Sequence, residues 1–206
     1  MGVDLQHVFT PNPNIEKEPN QLLFAGRLVR KKGGRVLLSA IAQLAARNIR
    51  PKLRIVGDGP ERPLLERQVQ QLRIASQVEF LGWQPKHRLP DYFRSATAAI
   101  VPSTTGDLGD REGLGLVAVE AMGCECPLII ADYPEIQELI VDGQNGVLFH
   151  EGDASELASA IERLLSDNAL RAAIGKAARQ SVLQRYDWTV VAAKHRKWFG
   201  ADGRVC

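Results

Sequence analysis

Ala98-Ala99-Ile100-Val101, stopped by Pro102-Ser103, leads into Asp110–Gly123, which reads DREGLGLVAVEAMG. A short apolar run closed by proline reads as a buried strand. The later stretch reads as a turn followed by a helix over 114–122. Strand, turn and helix in that order define the repeating unit of a parallel sheet. A glycine-spaced turn that opens a helix leaves backbone N–H groups unpaired and pointing outward, which suits a phosphate. Glu112 precedes Gly113-Leu114-Gly115, and Glu120 follows eight residues after Glu112. Carboxylates accept hydrogen bonds from hydroxyls. Phosphate at a helix start with hydroxyls on either side describes a sugar nucleotide.

The same alternation extends in both directions. Apolar runs at Leu22–Ala25, Leu53–Val56, Val78–Leu81, Leu128–Ala131 and Gly146–Phe149 read as strands. Helical patterns are expected at about 36–48, from Pro60 to about Ile74 with Pro60 as its first residue, at 87–95 and at 134–141. From Asp153 to about Phe199 the chain reads as helix, broken at Asp167-Asn168 and Tyr186-Asp187. The expected fold is α/β: a doubly wound, Rossmann-like parallel sheet with helices on both faces and a helical C-terminal segment. The expected division is a linker over 1–20, the Rossmann-like domain over 21–186 and a helical tail over 187–206. Ligands of such folds bind at the carboxyl ends of strands, here the loops 26–35, 57–60, 82–88, 102–115 and 132–135.

Composition narrows the class. Hydrophobic residues make up 45% of the 206, enough for a core. No apolar run approaches the roughly 20 residues of a membrane span, and the N-terminus lacks a signal peptide's pattern. Three cysteines, two of them in Cys124-x-Cys126, make neither a disulfide framework nor a four-ligand metal set. Asp107 and Asp110 have nothing nearby to complete a metal site. A reducing, cytoplasmic compartment follows as the simplest expectation, with no nucleic-acid partner. The net charge is only +2, but its distribution is uneven. Pro19 to Gly57 holds nine Arg and Lys and no acid, whereas Thr104 to Glu162 holds thirteen acids and one Arg. If the fold joins the two turns, the cleft has a cationic wall and a carboxylate wall.

Several motifs in order resemble the C-terminal, donor-binding half of the retaining glycosyltransferases with two Rossmann-like domains, the group-1 family that includes sucrose synthase and many bacterial cell-envelope enzymes. They are Gly26-Arg27 with Lys32-Gly33, Val56-Gly57-Asp58-Gly59-Pro60, Phe80-Leu81-Gly82, Pro102-Ser103, and Glu112-Gly113-x-Gly115-Leu116 with Glu120-Ala121-Met122. Asp142-Gly143-x-Asn145-Gly146 and Tyr186-x-Trp188 also match. The resemblance implies that Arg27 and Lys32 hold the donor diphosphate beside Gly26. It implies that Glu112 contacts the transferred sugar, that Glu120 holds the ribose, and that N–H groups of Gly113, Leu114, Gly115 and Leu116 face phosphate. Trp83 lies where the family holds the base. No metal or cofactor beyond the nucleotide-sugar donor is implied. The acceptor-binding N-terminal half, and with it any membrane association, is expected outside this chain.

Each residue also has a plainer reading. Lys32 fits a solvated lysine among three adjacent cations, Glu120 a structural ion-pair partner, and Glu112 a helix N-terminal acid. Gly57 and Gly59 fit turn chemistry, and Trp83 fits packing. Arg27 ends a buried strand and is expected to need a partner. Cys124 and Cys126 read as small buried residues. The sequence departs from the family pattern at Cys126-Pro127, where glycine is usual before the proline, and at Pro134-Glu135, where a Gly-Gly pair is usual. A non-catalytic nucleotide-binding module, a sugar-nucleotide epimerase or a glycan phosphorylase half are the alternatives.

Overall fold

The computed structural model describes residues 2–106 and 115–198. Six strands form one sheet: β1 Gln21–Ala25, β2 Lys52–Val56, β3 Val78–Gly82, β4 Ala98–Val101, β5 Leu128–Asp132 and β6 Val147–His150. Their spatial order is β3-β2-β1-β4-β5-β6, and every neighbouring pair is parallel. The chain winds outward from β1 to β3, then returns to β4 beside β1 and winds the other way. That reversal puts a topological switch point between β1 and β4. β1 is buried along its whole length and β5 along all but its last residue, as expected for strands covered on both faces.

The helices among the described residues are α1 Gly34–Ala46, α2 Arg62–Gln71, α3 Leu89–Ser95, α4 Gly115–Gly123, α5 Pro134–Gln137, α6 Ala154–Ser166, α7 Asn168–Tyr186 and α8 Trp188–Trp198. α1 packs against α2 and α6, and α4 against α3 and α7, so two helical layers enclose the sheet. In α1 the fully buried Leu37, Leu38, Ile41 and Leu44 recur at helical spacing and seal one face. α6 and α7 are separate because each has its own cap. The Asp153 carboxylate accepts from the N–H groups of Ser155 and Glu156 (2.8 and 3.0 Å), and Asp167 accepts from that of Leu170 (2.8 Å).

Three expectations change. α2 begins at Arg62 with Pro63 in its first turn, and Pro60 lies in the turn before it. Leu28 decides this: its N–H donates to the Asp58 carbonyl (2.9 Å) and its carbonyl accepts from Glu61 N–H (3.0 Å), tying residues 58–61 to the β1 loop. α5 stops at Gln137 because Asn145 claims the backbone that follows. Its side chain accepts from Val141 N–H (2.7 Å) and donates to the Leu139 carbonyl (2.8 Å) and to Ser181 (2.8 Å). The first twenty residues do more than lead in. Val3, Leu5 and Phe9 are buried, and Val3 exchanges backbone hydrogen bonds with Tyr186 and Trp188, both at 2.9 Å. Arg179 on α7 donates to the carbonyls of Leu5, Phe9 and Gly123, stitching this segment to the end of α4.

Candidate functional site

The site is built at the switch point, on the carboxyl edge of the sheet. After β1 the chain passes Gly26 and Arg27 and enters a 3-10 turn, Arg30–Lys32, which Gly33 closes in the left-handed region at φ 71°. A Cβ at Gly33 would stand 1.6 Å from the Pro102 carbonyl oxygen, so the cationic turn is pressed onto the loop leaving β4. Thr104 N–H donates to the Lys31 carbonyl (2.8 Å) and locks the two loops together. On the other side, Thr105 N–H donates to the Glu151 carboxylate beyond β6. The β4 loop is thus held from both flanks where it leads towards residue 107.

Lys32 folds back over the end of β1: a Cβ at Gly26 would lie 4.0 Å from Lys32 Nζ. Arg27 is exposed, and among the described residues its guanidinium makes no hydrogen bond or ion pair. The expected partner for Arg27 is therefore not found. The strand burial ends at Ala25, and the arginine side chain runs past it into solvent, where its charge needs none. Ser103 is 3% exposed, and among the described residues its Oγ has no hydrogen-bond partner. A buried hydroxyl without a partner is costly and stands directly after Pro102.

α4 opens with Gly115 at φ 64°, its first turn at the same sheet edge as the β1 loop. Leu116 is partly exposed there, at 36%. Glu120, one and a half turns further along, is 4% exposed, and among the described residues its carboxylate accepts no hydrogen bond. Burial raises its pKa, and the charge of Lys86 in the loop after β3 partly opposes that rise. The ion-pair reading of Glu120 is not met among the described residues. Trp83, in that same loop, is 74% exposed, so packing does not account for it. Glu112, Gly113 and Leu114, with Asp107 and Asp110, lie outside the described residues.

Other groups singled out in the sequence have structural work. A Cβ at Gly57 would meet the Gly26 carbonyl at 1.9 Å, and one at Gly59 the Leu28 carbonyl at 2.4 Å, so both glycines serve close loop packing. Cys124 and Cys126 are buried free thiols, and burial pushes their pKa values up to about 12 and about 11. Sequence reading missed Lys86 and Glu151, which nothing but the tertiary fold brings in. It named Ser103 inside a motif without giving it a task.

The fold defines the class: a Rossmann-like, doubly wound domain with its loops gathered at one switch point. Comparison then assigns the family. The profile of the family described as "Glycosyl transferases group 1" matches residues 8–181, and the chain belongs to that family. It is 30% identical over 203 residues to the GDP-mannose-dependent alpha-(1-6)-phosphatidylinositol monomannoside mannosyltransferase of Mycolicibacterium smegmatis, covering 94% of this chain and 53% of the relative. It superposes on Anabaena HepE in complex with UDP with a TM-score of 0.84 at 25% identity, over 96% of this chain and 55% of that one. The C-terminal domain of a glycosyl transferase group 1 protein, LpcC of Francisella tularensis, matches over 91% of this chain and all of its own, with a TM-score of 0.77 at 25% identity. The chain spans about half the length of the curated relatives it matches. No helix among the described residues is long and apolar enough to cross a membrane.

Proposed function

We propose that this domain binds the nucleotide-sugar donor of a retaining, metal-independent hexosyltransferase and stabilises the departing nucleoside diphosphate. The observation that carries the reading is the contact between two loops, Lys31 to Thr104 and Gly33 to Pro102. It sets the Lys32 turn beside the loop that leads into α4. A diphosphate seated there meets Arg27 and Lys32 from the β1 side and the start of α4, at Gly115 and Leu116, from the other. The relatives support the ligand class. One is named as GDP-mannose-dependent, and HepE is known in complexes with UDP and with UDP-glucose.

The chemistry follows from charge. Cleavage of the sugar–phosphate bond leaves added negative charge on the diphosphate. Guanidinium, ammonium and amide donors gathered around the diphosphate lower the energy of that charge. The transferred sugar becomes oxocarbenium-like, and the carboxylate of Glu112 favours the positive charge. Glu120 is buried and, among the described residues, has unused acceptor capacity, which a ribose diol would fill. Trp83 offers an open aromatic face to the base. The acceptor and the remaining wall of the cleft would come from a second domain.

Calorimetric titration of UDP, GDP and ADP, then their sugar conjugates, tests the reading. One nucleoside diphosphate should bind saturably, Arg27→Ala and Lys32→Ala should weaken it through the phosphates, and Glu120→Ala should weaken the nucleoside. Unchanged affinity in all three variants would refute the assignment.

A further inference from the structure

A cavity of about 530 Å3 lies at the edge of the sheet opposite the candidate site, beneath the starts of β4 and β5 at Thr97 and Pro127. Its walls are of two kinds. Pro11, Pro13, Ile15, Pro127 and Ala172 supply apolar surface. Lys17, Arg94, Arg171 and Lys176 supply four positive charges against the single carboxylate of Glu125.

Most of these cations are held by neutral groups, which fix their position and leave their charge uncancelled. Lys17 donates to the carbonyls of Arg94 and Ala96 (3.4 and 3.2 Å). Arg171 donates to the Leu164 and Leu165 carbonyls and to Asn168. Arg94 donates to the Thr10 and Val8 carbonyls, both at 2.8 Å, and pairs with the exposed Asp91. Lys176 is exposed and makes no hydrogen bond or ion pair among the described residues. A guanidinium has five N–H donors and an ammonium three, so all four retain donors for a further acceptor. The backbone of this wall is fixed as well. Glu125 adopts φ 55°, and its carbonyl is where a Cβ on Gly175 of α7 would arrive at 2.5 Å.

We propose that this cavity binds a phosphate monoester whose organic part is apolar. The excess of exposed and carbonyl-anchored cations takes the dianion, and the proline and isoleucine wall takes the organic group. The charge around the cavity, even with Asp91 counted, stays positive, and a neutral ligand would leave it so. The inference does not rest on the donor reading, since the two sites lie at opposite edges of the sheet.

The test titrates the 206-residue chain with phenyl phosphate at low salt, with phenol and inorganic phosphate as comparisons, in the absence and presence of UDP. Phenyl phosphate should bind saturably and UDP should not compete. Each fragment should bind about tenfold more weakly or worse. Lys176→Glu should weaken phenyl phosphate by about tenfold or more, and Ala172→Trp, which fills the cavity without a charge change, should abolish it. Both positions are exposed, so thermal melting of these variants should match the parent. A parallel flotation assay uses phosphatidylcholine vesicles with and without phosphatidic acid. Binding in that arm, lost in Lys176→Glu, would make a lipid headgroup the source of the phosphate, and binding in the soluble arm alone would make it a free ester. Absence of saturable binding in both arms, or equal binding by parent and both variants, would overturn the proposal.

Discussion

A Cβ placed on Gly33 would lie 1.6 Å from the carbonyl oxygen of Pro102. This single approach joins the cationic turn after β1 to the loop after β4, and φ 71° at Gly33 leaves no easy escape. Gly33→Ala should therefore cost about 3 kcal/mol of stability, combining left-handed strain with the clash. Urea denaturation measures it, and a loss under about 0.5 kcal/mol would mean that the two loops are not packed in this way.

Glu120 gives a pH prediction with a definite sign. Burial raises its folded pKa above its ordinary value, so the folded state holds the proton more tightly than the unfolded state does. Stability is then highest below the ordinary carboxyl range and declines as pH rises through the raised folded value. Glu120→Gln removes this decline, because the amide carries no charge to bury. The difference in stability between parent and variant, measured from pH 4 to pH 8, should grow with pH in favour of the variant (roughly this range brackets carboxyl titration). The same variant should bind nucleoside more weakly. A flat difference across that range would contradict the burial of the carboxylate.

Asp187 runs the other way. Burial raises its pKa, but hydrogen bonds from the side chain and N–H of Thr189 and from Gln6 outweigh it, and the net shift is downward. This carboxylate stabilises the fold above its ordinary pKa and loses that effect as pH falls through the lowered folded value. It ties the N-terminal segment to the start of α8, and Asp187→Ala should cost about 2 kcal/mol near neutral pH, with a smaller loss in acid. An equal loss at pH 3 and pH 7 would show that the charge plays no part (roughly the ends of carboxyl titration).

Trp83 is 74% exposed and holds no core contact to lose. Trp83→Ala should shift stability by less than about 0.5 kcal/mol. Stacking of a base on its ring should show as fluorescence quenching on nucleotide addition, absent in Trp83→Phe, with affinity about fivefold or more lower in the alanine variant. Quenching that survives Trp83→Phe would assign the signal to Trp188 or Trp198 instead.

Much of the fold was written in local pattern. Leu22–Ala25, Ala98–Val101 and Leu128–Ala131 are central strands buried on both faces, and a parallel sheet turns that environment into uninterrupted apolar runs. Asp153 and Asp167 announced two helix starts by their chemistry. Pro60 was misread because its place depends on Leu28, a partner on another loop that no window along the chain contains. The partner expected for Arg27 was argued from the strand, yet two residues beyond the strand end were enough to reach water. For the site, residue type and order singled out Glu120, Lys32 and Trp83. Only the fold reveals that Glu120 is buried without a hydrogen bond among the described residues, that Lys32 lies over Gly26, and that Trp83 is open to solvent.

Arg27 and Lys32 are proposed to act on the diphosphate of a nucleotide donor. The most direct test of that role compares calorimetric affinities of the preferred nucleoside diphosphate with those of the nucleoside monophosphate and nucleoside, in the parent, Arg27→Ala and Lys32→Ala. The added affinity contributed by the phosphates should fall by about tenfold or more in each variant while nucleoside affinity is unchanged. An undiminished phosphate contribution in both variants would contradict it.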